Sequence, residues 1–159
     1  MNISTHNPQI YVVCLASYNN GAEHGKWLCA SDYDLEEQIQ KLLKESPVAN
    51  AEEWAIHDYE DMPKLGTNPD IDRVIEIAEM VEEHGESFLV YMKHWDDVDR
   101  YEEKYEGEFE TELEFAHIYA DGLMEIPTFL EYCIDYEAIA NNLFSDGFVL
   151  HDGHVFNGN

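Results

Sequence analysis

Short apolar runs alternate with turn-forming residues along the first third of the chain, and this pattern predicts a small sheet with one helix. Apolar residues within 9–17 and 25–30 predict two strands, and Asn19-Asn20-Gly21 predicts the turn between them. Asp34 precedes apolar residues at helical spacing, which predicts a capped helix. Residues 53–59 alternate between apolar and polar, which predicts a third strand.

Signals for helix ends dominate the middle of the chain. Asn68-Pro69 is typical of a helix cap and first turn, and Gly85 is typical of a helix end. Between them the apolar residues recur at helical spacing, so one helix is expected there. Two shorter helices are expected over residues 86–94 and 96–105.

The last third predicts two capped helices and a hairpin. Thr111 with Glu114 matches a capping box, which predicts a helix running to about Leu123. Asp135 predicts the cap of a last helix through Phe144. The residues from Phe148 onward predict a terminal hairpin around Asp152-Gly153.

These elements predict an α+β fold divided into about three small subdomains. Pro63 and Gly66 mark one boundary. The expected divisions are an α+β subdomain with a small sheet and a helix over 1–61, an acidic helical subdomain over 62–105, and a mixed α/β subdomain over 106–159.

Charge narrows the classes of partner. The chain of 159 residues has 35 acidic and 8 basic residues, a net charge of −27. Nucleic-acid binders need a basic patch, and no cluster of three or more basic residues occurs, so direct binding of DNA or RNA is not expected. An anionic membrane would repel this surface, and no run of 18 apolar residues predicts a membrane span.

Cellular location follows from the polar N-terminus and the cysteines. Residues 1–9 lack the charged and apolar regions of a signal peptide. The three cysteines, Cys14, Cys29 and Cys133, have no CxxC spacing and are expected to be reduced. A cytoplasmic location is therefore expected.

The negative charge is concentrated after residue 51. The first 51 residues have six acids and three bases, whereas the remainder has twenty-nine acids and five bases. Like charges recur there at helical spacing, which destabilises an ordinary solvated helix face. Two such rows are expected on helices: Glu79, Glu82, Glu83 and Glu86, and Asp99, Glu102, Glu103 and Glu106. We interpret the following carboxylates as a surface that imitates DNA phosphates: Asp58, Glu60, Asp61, Asp70, Asp72, Glu76, Glu79, Glu82, Glu83, Glu86, Asp96, Asp97, Asp99, Glu102, Glu103, Glu106, Glu108, Glu110, Glu112 and Glu114.

The charge density is of the right order for such imitation. If every net charge were displayed, the charge would match that of about 46 Å of duplex, at about 1.7 Å of axis per phosphate. Three alternatives stay open at this point: an acidic chaperone for a basic protein, a protein that buffers cations, and a small hydrolase.

Catalytic and metal chemistry is weakly indicated. His151 and His154 could supply two metal ligands, but a turn sequence explains them better. His57-Asp58 could form an acid–base pair, but adjacent strand residues point to opposite faces. No phosphate loop, nucleophile elbow or calcium loop occurs. Neither an enzyme activity nor a metal or other cofactor is expected.

Three stretches of the sequence carry a resemblance to a known family. The first runs from Ile10 to Gly21, with His24-Gly25-Lys26-Trp27, and the second runs from Glu52 to Glu60. The third runs from Leu123 to Phe156. In this order, and over essentially the whole chain, they resemble the ArdA antirestriction proteins, which plasmids and conjugative transposons carry in bacterial hosts.

The resemblance implies an elongated homodimer of three parts that imitates bent B-DNA. It implies binding to type I restriction-modification enzymes, through their DNA specificity and methyltransferase subunits, and inhibition of restriction and often of modification. The family's antirestriction motif, which lies near the dimer contact, corresponds here to Glu125, Ile126, Pro127, Asp135, Tyr136 and Glu137. Asn141-Asn142 departs from the family pattern of a basic residue and an aspartate. Four aromatic residues are candidates either for dimer contacts or for the core: Tyr105, Phe109, Tyr132 and Phe144.

Overall fold

Helices and three-stranded sheets occur in both compact units of the protein, and the predicted α+β class is confirmed. The computed structural model describes residues 5–159. The chain divides between Lys93 and His94 into an N-terminal unit of residues 1–93 and a C-terminal unit of residues 94–159. The elongated shape and the three-part division stay predictions.

The N-terminal unit has three antiparallel strands in the order β2-β1-β3. Helix α2 packs against β1 and β2, and α3 packs against α2 and α4. The elements are β1 (Gln9–Cys14), α1 (Leu15–Asn19), β2 (Gly25–Cys29), α2 (Leu35–Lys44), β3 (Trp54–Glu60), α3 (Ile71–His84) and α4 (Glu86–Met92).

Aliphatic side chains at strand and helix spacing build the core of this unit. Ile10 and Val12 alternate along β1 and are fully buried. Helices contribute the i, i+3, i+4 stripes that the sequence predicts. The buried helix residues are Leu35, Ile39, Leu42 and Leu43 of α2 and Val74, Ile77, Ala78 and Val81 of α3.

Strand β1 is shorter than the sequence pattern predicts. The expected strand over 9–17 ends at Cys14, and Leu15–Asn19 forms a helical turn instead. Ser17 in this turn is buried, and its hydroxyl lies 2.7 Å from the hydroxyl of Ser46. This polar contact turns the chain inward before Gly21, so the apolar run does not continue as a strand.

The predicted cap of α3 is wrong by two residues. The helix begins at Ile71, and the carboxylate of Asp70 accepts the backbone N–H groups of Asp72 and Arg73 at 2.9 and 3.3 Å. An aspartate satisfies the free N–H groups of a first turn, so Asp70 displaces Asn68 from that role. The predicted end at Gly85 is confirmed, with a φ of 65°.

The C-terminal unit has a second antiparallel sheet in the order β4-β6-β5. Helices α6 and α7 pack against each other, and α7 also packs against β5. The elements are a 3-10 helix (Val98–Arg100), α5 (Tyr101–Lys104), β4 (Tyr105–Glu108), α6 (Glu112–Leu123), a second 3-10 helix (Thr128–Cys133), α7 (Tyr136–Ser145), β5 (Phe148–His151) and β6 (His154–Asn157).

Local signals at the ends of these elements are confirmed. The Thr111 hydroxyl accepts the backbone N–H of Glu114, and the Asp135 carboxylate accepts that of Ala138. The hairpin turn has positive φ at both central residues, 46° at Asp152 and 82° at Gly153, as a two-residue turn of type I′ requires.

Aromatic side chains pack on both faces of the second sheet. Phe148 contacts Phe115 of α6, and their ring centroids are 5.1 Å apart. On the other face, Phe156 contacts Trp95 at 5.3 Å and Tyr105 at 5.5 Å. Helix α6 therefore packs on one face of the sheet, and Trp95 packs on the other face.

Candidate functional site

Nearly all carboxylates of the predicted acidic surface are exposed. Asp61 and Glu82 are half-buried, and the other members of the set are exposed. Asp61 lies 2.7 Å from the Nδ1 of His6 and accepts the backbone N–H of Asn7 at 2.6 Å. Glu82 accepts the hydroxyl of Ser31 at 2.6 Å. These two carboxylates make hydrogen bonds within the protein, so they are less accessible to a partner than the exposed carboxylates.

Helix α3 displays one row of four exposed carboxylates, which we call the α3 stripe: Asp72, Glu76, Glu79 and Glu83. The residues are three or four apart, so their side chains lie on one face of the helix. The opposite face carries the buried stripe that begins at Val74. Packing of α3 onto the core therefore fixes where these charges point.

The predicted row of Glu79, Glu82, Glu83 and Glu86 is not one helix face. Gly85 ends α3, and Glu86 begins α4. Glu82 turns toward Ser31. The row in the structure extends in the other direction, toward the helix start at Asp72.

The residues around Glu106 form a strand, and not the helix that their spacing predicts. The chain leaves α5 at Lys104, and Tyr105–Glu108 pairs with β6. Exposed glutamates at positions 106, 108 and 110, here called the β4 row, alternate with half-buried residues at 105, 107 and 109. The alternation of glutamate with other residues over 105–110 is typical of a strand, and this signal was missed. Glu106 is the extra residue of a bulge opposite β6, and Glu110 follows the end of β4. Desolvation raises the pKa of Glu106.

Three residues of the predicted antirestriction motif line one cleft of about 450 Å³: Glu125, Ile126 and Tyr136. His117 and Asp121, one turn apart on α6, line it as well, together with Glu131. Asp135 caps α7, Glu137 is exposed in the first turn of that helix, and Pro127 is exposed before the second 3-10 helix. The spacing of His117 and Asp121 in a predicted helix was the available signal for their part in this cleft.

Tyr136 lines this cleft and contacts another of its lining residues. Its ring stacks on His117, with ring centroids 3.7 Å apart and planes 22° apart. Desolvation raises the pKa of its hydroxyl, and the charges of Asp121 and Glu131 add to this effect. A hydrogen bond with the Asp121 side chain raises the pKa of this hydroxyl as well.

Large apolar side chains are exposed close to the same cleft. Phe129 is 77% exposed, Met124 67% and Leu123 66%. We call the whole set the exposed apolar segment: Leu113, Ile118, Leu123, Met124, Phe129, Leu130 and Tyr132. Apolar surface that is exposed in one contiguous patch is typical of a protein interface, and these side chains are candidates for such a patch.

The four aromatic residues that are candidates for dimer contacts or for the core differ in exposure. Tyr132 is 94% exposed. The others are half-buried within the C-terminal unit. Tyr105 donates or accepts a hydrogen bond with His154 at 3.1 Å, while Phe109 and Phe144 pack edge-on against Phe115.

Comparison with protein families matches residues 10–156 to one family, described as antirestriction protein (ArdA). The chain belongs to the ArdA antirestriction family. The match covers almost the whole chain and includes both acidic rows and the motif cleft. A comparison with curated proteins finds no match.

The two histidines His151 and His154 lie in separate packing contacts in this ArdA chain. No cluster of three or more histidine, cysteine or acidic side chains that could hold a metal occurs within residues 5–159. His151 stacks on His94 at 3.6 Å between ring centroids, whereas His154 is buried against Tyr105. Cys14 is buried, as expected of a core cysteine. Among the described helices, none has the length and apolar character needed to cross a membrane.

His57 and Asp58 do not point to opposite faces of the sheet as the strand period predicts. The register between β1 and β3 shifts at this point, so that Asp58 pairs with Tyr11 and Ile56 pairs with Val12. His57 is the extra residue of this bulge, and both His57 and Asp58 are exposed.

Proposed function

We propose that this protein is a DNA mimic that occupies the DNA-binding groove of type I restriction-modification enzymes. Its carboxylates would take the places of phosphates against the DNA specificity and methyltransferase subunits. Competition of this kind blocks restriction and modification without chemistry, so the protein acts as an inhibitor and not as an enzyme. The setting is the cytoplasm of a bacterial host.

The exposed acidic rows on packed elements carry this proposal. The α3 stripe spans about 16 Å at about 1.5 Å per helical residue, so its carboxylates recur about every 5–6 Å. One DNA strand places a phosphate about every 3.4 Å along the axis. A single stripe therefore reaches more than half the charge density of one DNA strand.

A surface of this type explains tolerance for different target enzymes. Phosphate contacts supply register and affinity but little sequence information. Enzymes that read different DNA sequences share the need to hold the backbone. A protein that imitates only the backbone can therefore inhibit several of them, and no single carboxylate is essential.

Dimerisation through the C-terminal unit is part of the proposal. The exposed apolar segment lies beside the antirestriction motif: Leu123 and Met124 precede Glu125, and the second 3-10 helix contains Phe129, Leu130 and Tyr132. A second copy of this chain that covers these side chains would remove them from water. The dimer would also double the charge available for mimicry.

Displacement of DNA from a purified type I methyltransferase core tests the function directly. We expect the protein to compete with a labelled duplex that contains the recognition site, and the competition to weaken steeply as salt rises. Affinity that does not change with salt would contradict mimicry. So would failure to displace the duplex at physiological salt.

A charge-matched pair of variants assigns the effect to the α3 stripe. The first variant carries Glu76→Gln, Glu79→Gln and Glu83→Gln. The control carries Glu36→Gln, Glu37→Gln and Glu45→Gln on or next to α2, where the side chains are also exposed. Exposed ion pairs contribute about 0.2–1 kcal/mol each, so the first variant should bind about threefold to a hundredfold more weakly. Equal losses in both variants would indicate that only net charge matters.

An acidic chaperone for a basic DNA-binding protein is the alternative that charge favours. Such a protein would bind free basic proteins but would not displace DNA from the methyltransferase core. The same displacement assay therefore separates the two functions.

A further inference from the structure

The aromatic cleft on the N-terminal sheet lies in a part of the chain that the acidic mimicry does not explain. Its volume is about 320 Å³, and its lining includes Tyr11, Tyr18, Gly21, Glu23 and His57. Only six acids occur in the first 51 residues, so this region contributes little to the phosphate-like charge. The cleft combines aromatic side chains with one carboxylate, a combination that differs from the rows of carboxylates on the acidic surface.

Two aromatic walls define this cleft. The Tyr11 ring packs against Trp27, with centroids 5.3 Å apart, and the two residues are paired across β1 and β2. Tyr18 packs edge-on against His57, with centroids 5.0 Å apart. Tyr18 is 56% exposed, so its ring is open to a ligand.

The carboxylate of Glu23 is tied to one of these walls. The Tyr11 hydroxyl donates a hydrogen bond of 3.0 Å to Oε1 of Glu23. A carboxylate has about four acceptor sites on its two oxygens, so Glu23 can accept further hydrogen bonds from a ligand. The contact keeps a negative charge at the edge of an aromatic surface.

The backbone is adapted to this arrangement at two positions. A Cβ on Gly25 would lie 2.8 Å from the Tyr11 hydroxyl and 3.0 Å from the Val12 carbonyl oxygen, so a larger residue there would displace the phenol from its present position. The bulge in β3 makes His57 the extra residue, and its side chain lines the cleft.

We propose that this cleft binds the guanidinium group of an arginine side chain on the partner protein. A planar guanidinium stacks on aromatic rings and donates several hydrogen bonds in one plane, which suits the walls and Glu23 together. A lysine ammonium is more strongly hydrated and stacks less well. A DNA-binding groove exposes arginine for phosphate and base recognition, so this partner assignment rests on the proposed function.

The cleft can be tested without a restriction enzyme. Isotope-labelled protein is titrated with N-acetyl-arginine methylamide and, separately, with N-acetyl-lysine methylamide at matched ionic strength. We expect saturable amide shifts confined to residues around Tyr11, Tyr18, Glu23 and His57, with tighter binding of the arginine probe. Shifts that are equal for both probes and spread over all acidic surfaces would overturn the proposal.

Matched variants separate the cleft from general electrostatics. Tyr18→Ala and Glu23→Gln should each weaken the arginine probe about twofold to fivefold. The controls are Tyr33→Ala, an aromatic residue that is 95% exposed outside the cleft, and Glu37→Gln, an exposed carboxylate on α2. Unchanged spectra away from the substitution verify folding. Loss in the controls equal to that in the cleft variants would contradict the site.

The displacement assay then tests the partner. Tyr18→Ala should raise the concentration needed to displace DNA from the methyltransferase core, whereas Tyr33→Ala should not. If the probe binds but Tyr18→Ala displaces DNA as well as the unchanged protein, the assignment of the partner is wrong. If the unchanged protein displaces no DNA, the proposed function fails, and the probe titration still decides whether the cleft binds guanidinium.

Discussion

The N-terminal and C-terminal units differ in which large apolar side chains they expose. In the described part of the N-terminal unit, the exposed ones are aromatic and have a polar atom: Tyr18, Trp27 and Tyr33. The C-terminal unit exposes aliphatic side chains and a phenylalanine as well, in the exposed apolar segment. Exposure of aliphatic side chains to water is unfavourable in free energy, so burial of this segment against another surface would stabilise the second unit. This difference supports the proposal that a second copy of the chain binds to the C-terminal unit and not to the N-terminal one.

The largest expected effect contrasts the two phenylalanines Phe88 and Phe129. Phe88 is fully buried in α4, whereas Phe129 is 77% exposed. Phe88→Ala should lower the free energy of unfolding by about 3–5 kcal/mol, because it removes buried area and leaves a cavity. Phe129→Ala should change it by less than about 0.5 kcal/mol at a protein concentration that keeps the chain monomeric.

Denaturant unfolding followed by circular dichroism measures both values. Comparable losses for the two variants would show that the exposed apolar segment is packed within one chain. In that case the contrast between the units would be lost.

The next effect concerns association. Phe129→Glu should raise the dissociation constant of the dimer about tenfold to a hundredfold, because burial of such a side chain contributes about 1.5–3 kcal/mol. Tyr33→Glu places the same charge on an exposed aromatic position of the N-terminal unit and should leave association unchanged. Sedimentation equilibrium gives both constants. A wild-type protein that stays monomeric at high concentration would refute the dimer.

Helix caps should contribute to stability within the same range in the two units. Asp70→Ala removes a carboxylate that accepts two backbone N–H groups of a first turn, and Asp135→Ala removes one that accepts a single N–H group, and each should cost about 0.5–2 kcal/mol of stability. Asp34 stands before α2 but makes no side-chain cap hydrogen bond, so Asp34→Ala is the control with the smaller loss. Denaturant unfolding decides. A loss outside this range for only one of Asp70 and Asp135 would mean that helix ends also distinguish the units.

These caps illustrate what the sequence could predict. The roles of Thr111, Asp135 and Asp152-Gly153 depend on atoms within a few residues, so local chemistry was sufficient. The cap of α3 was misplaced because Asn68 and Asp70 are both good caps, and only the backbone decides between them.

Long-range contacts explain the features that were missed. Strand β4 needs β6 as its partner, about fifty residues later in the chain, and a run of acidic residues masked its alternation. Glu82 and Asp61 are acidic in sequence like their neighbours. Their hydrogen bonds with Ser31 and His6 span 51 and 55 residues, and spacing along a helix carries no information on such contacts.

The smallest effect is a pH dependence in the C-terminal unit. Desolvation lowers the pKa of His151 from its ordinary 6.5, and the charge of stacked His94 lowers it further, while Asp152 opposes this shift. The folded protein therefore binds fewer protons at His151 than the unfolded chain does. This contribution to stability is full above the unfolded pKa and is lost as pH falls below it toward the folded pKa.

His151→Gln should consequently lose less stability than the unchanged protein between about pH 8 and about pH 5.5. Protonation of the many carboxylates alters both proteins alike, so the difference between their unfolding free energies isolates the histidine. His57→Gln, an exposed imidazole of the N-terminal unit, is the control for loss of a histidine. A steeper loss in His151→Gln than in the unchanged protein would reverse the sign and show that the stacked pair is stabilised by protonation.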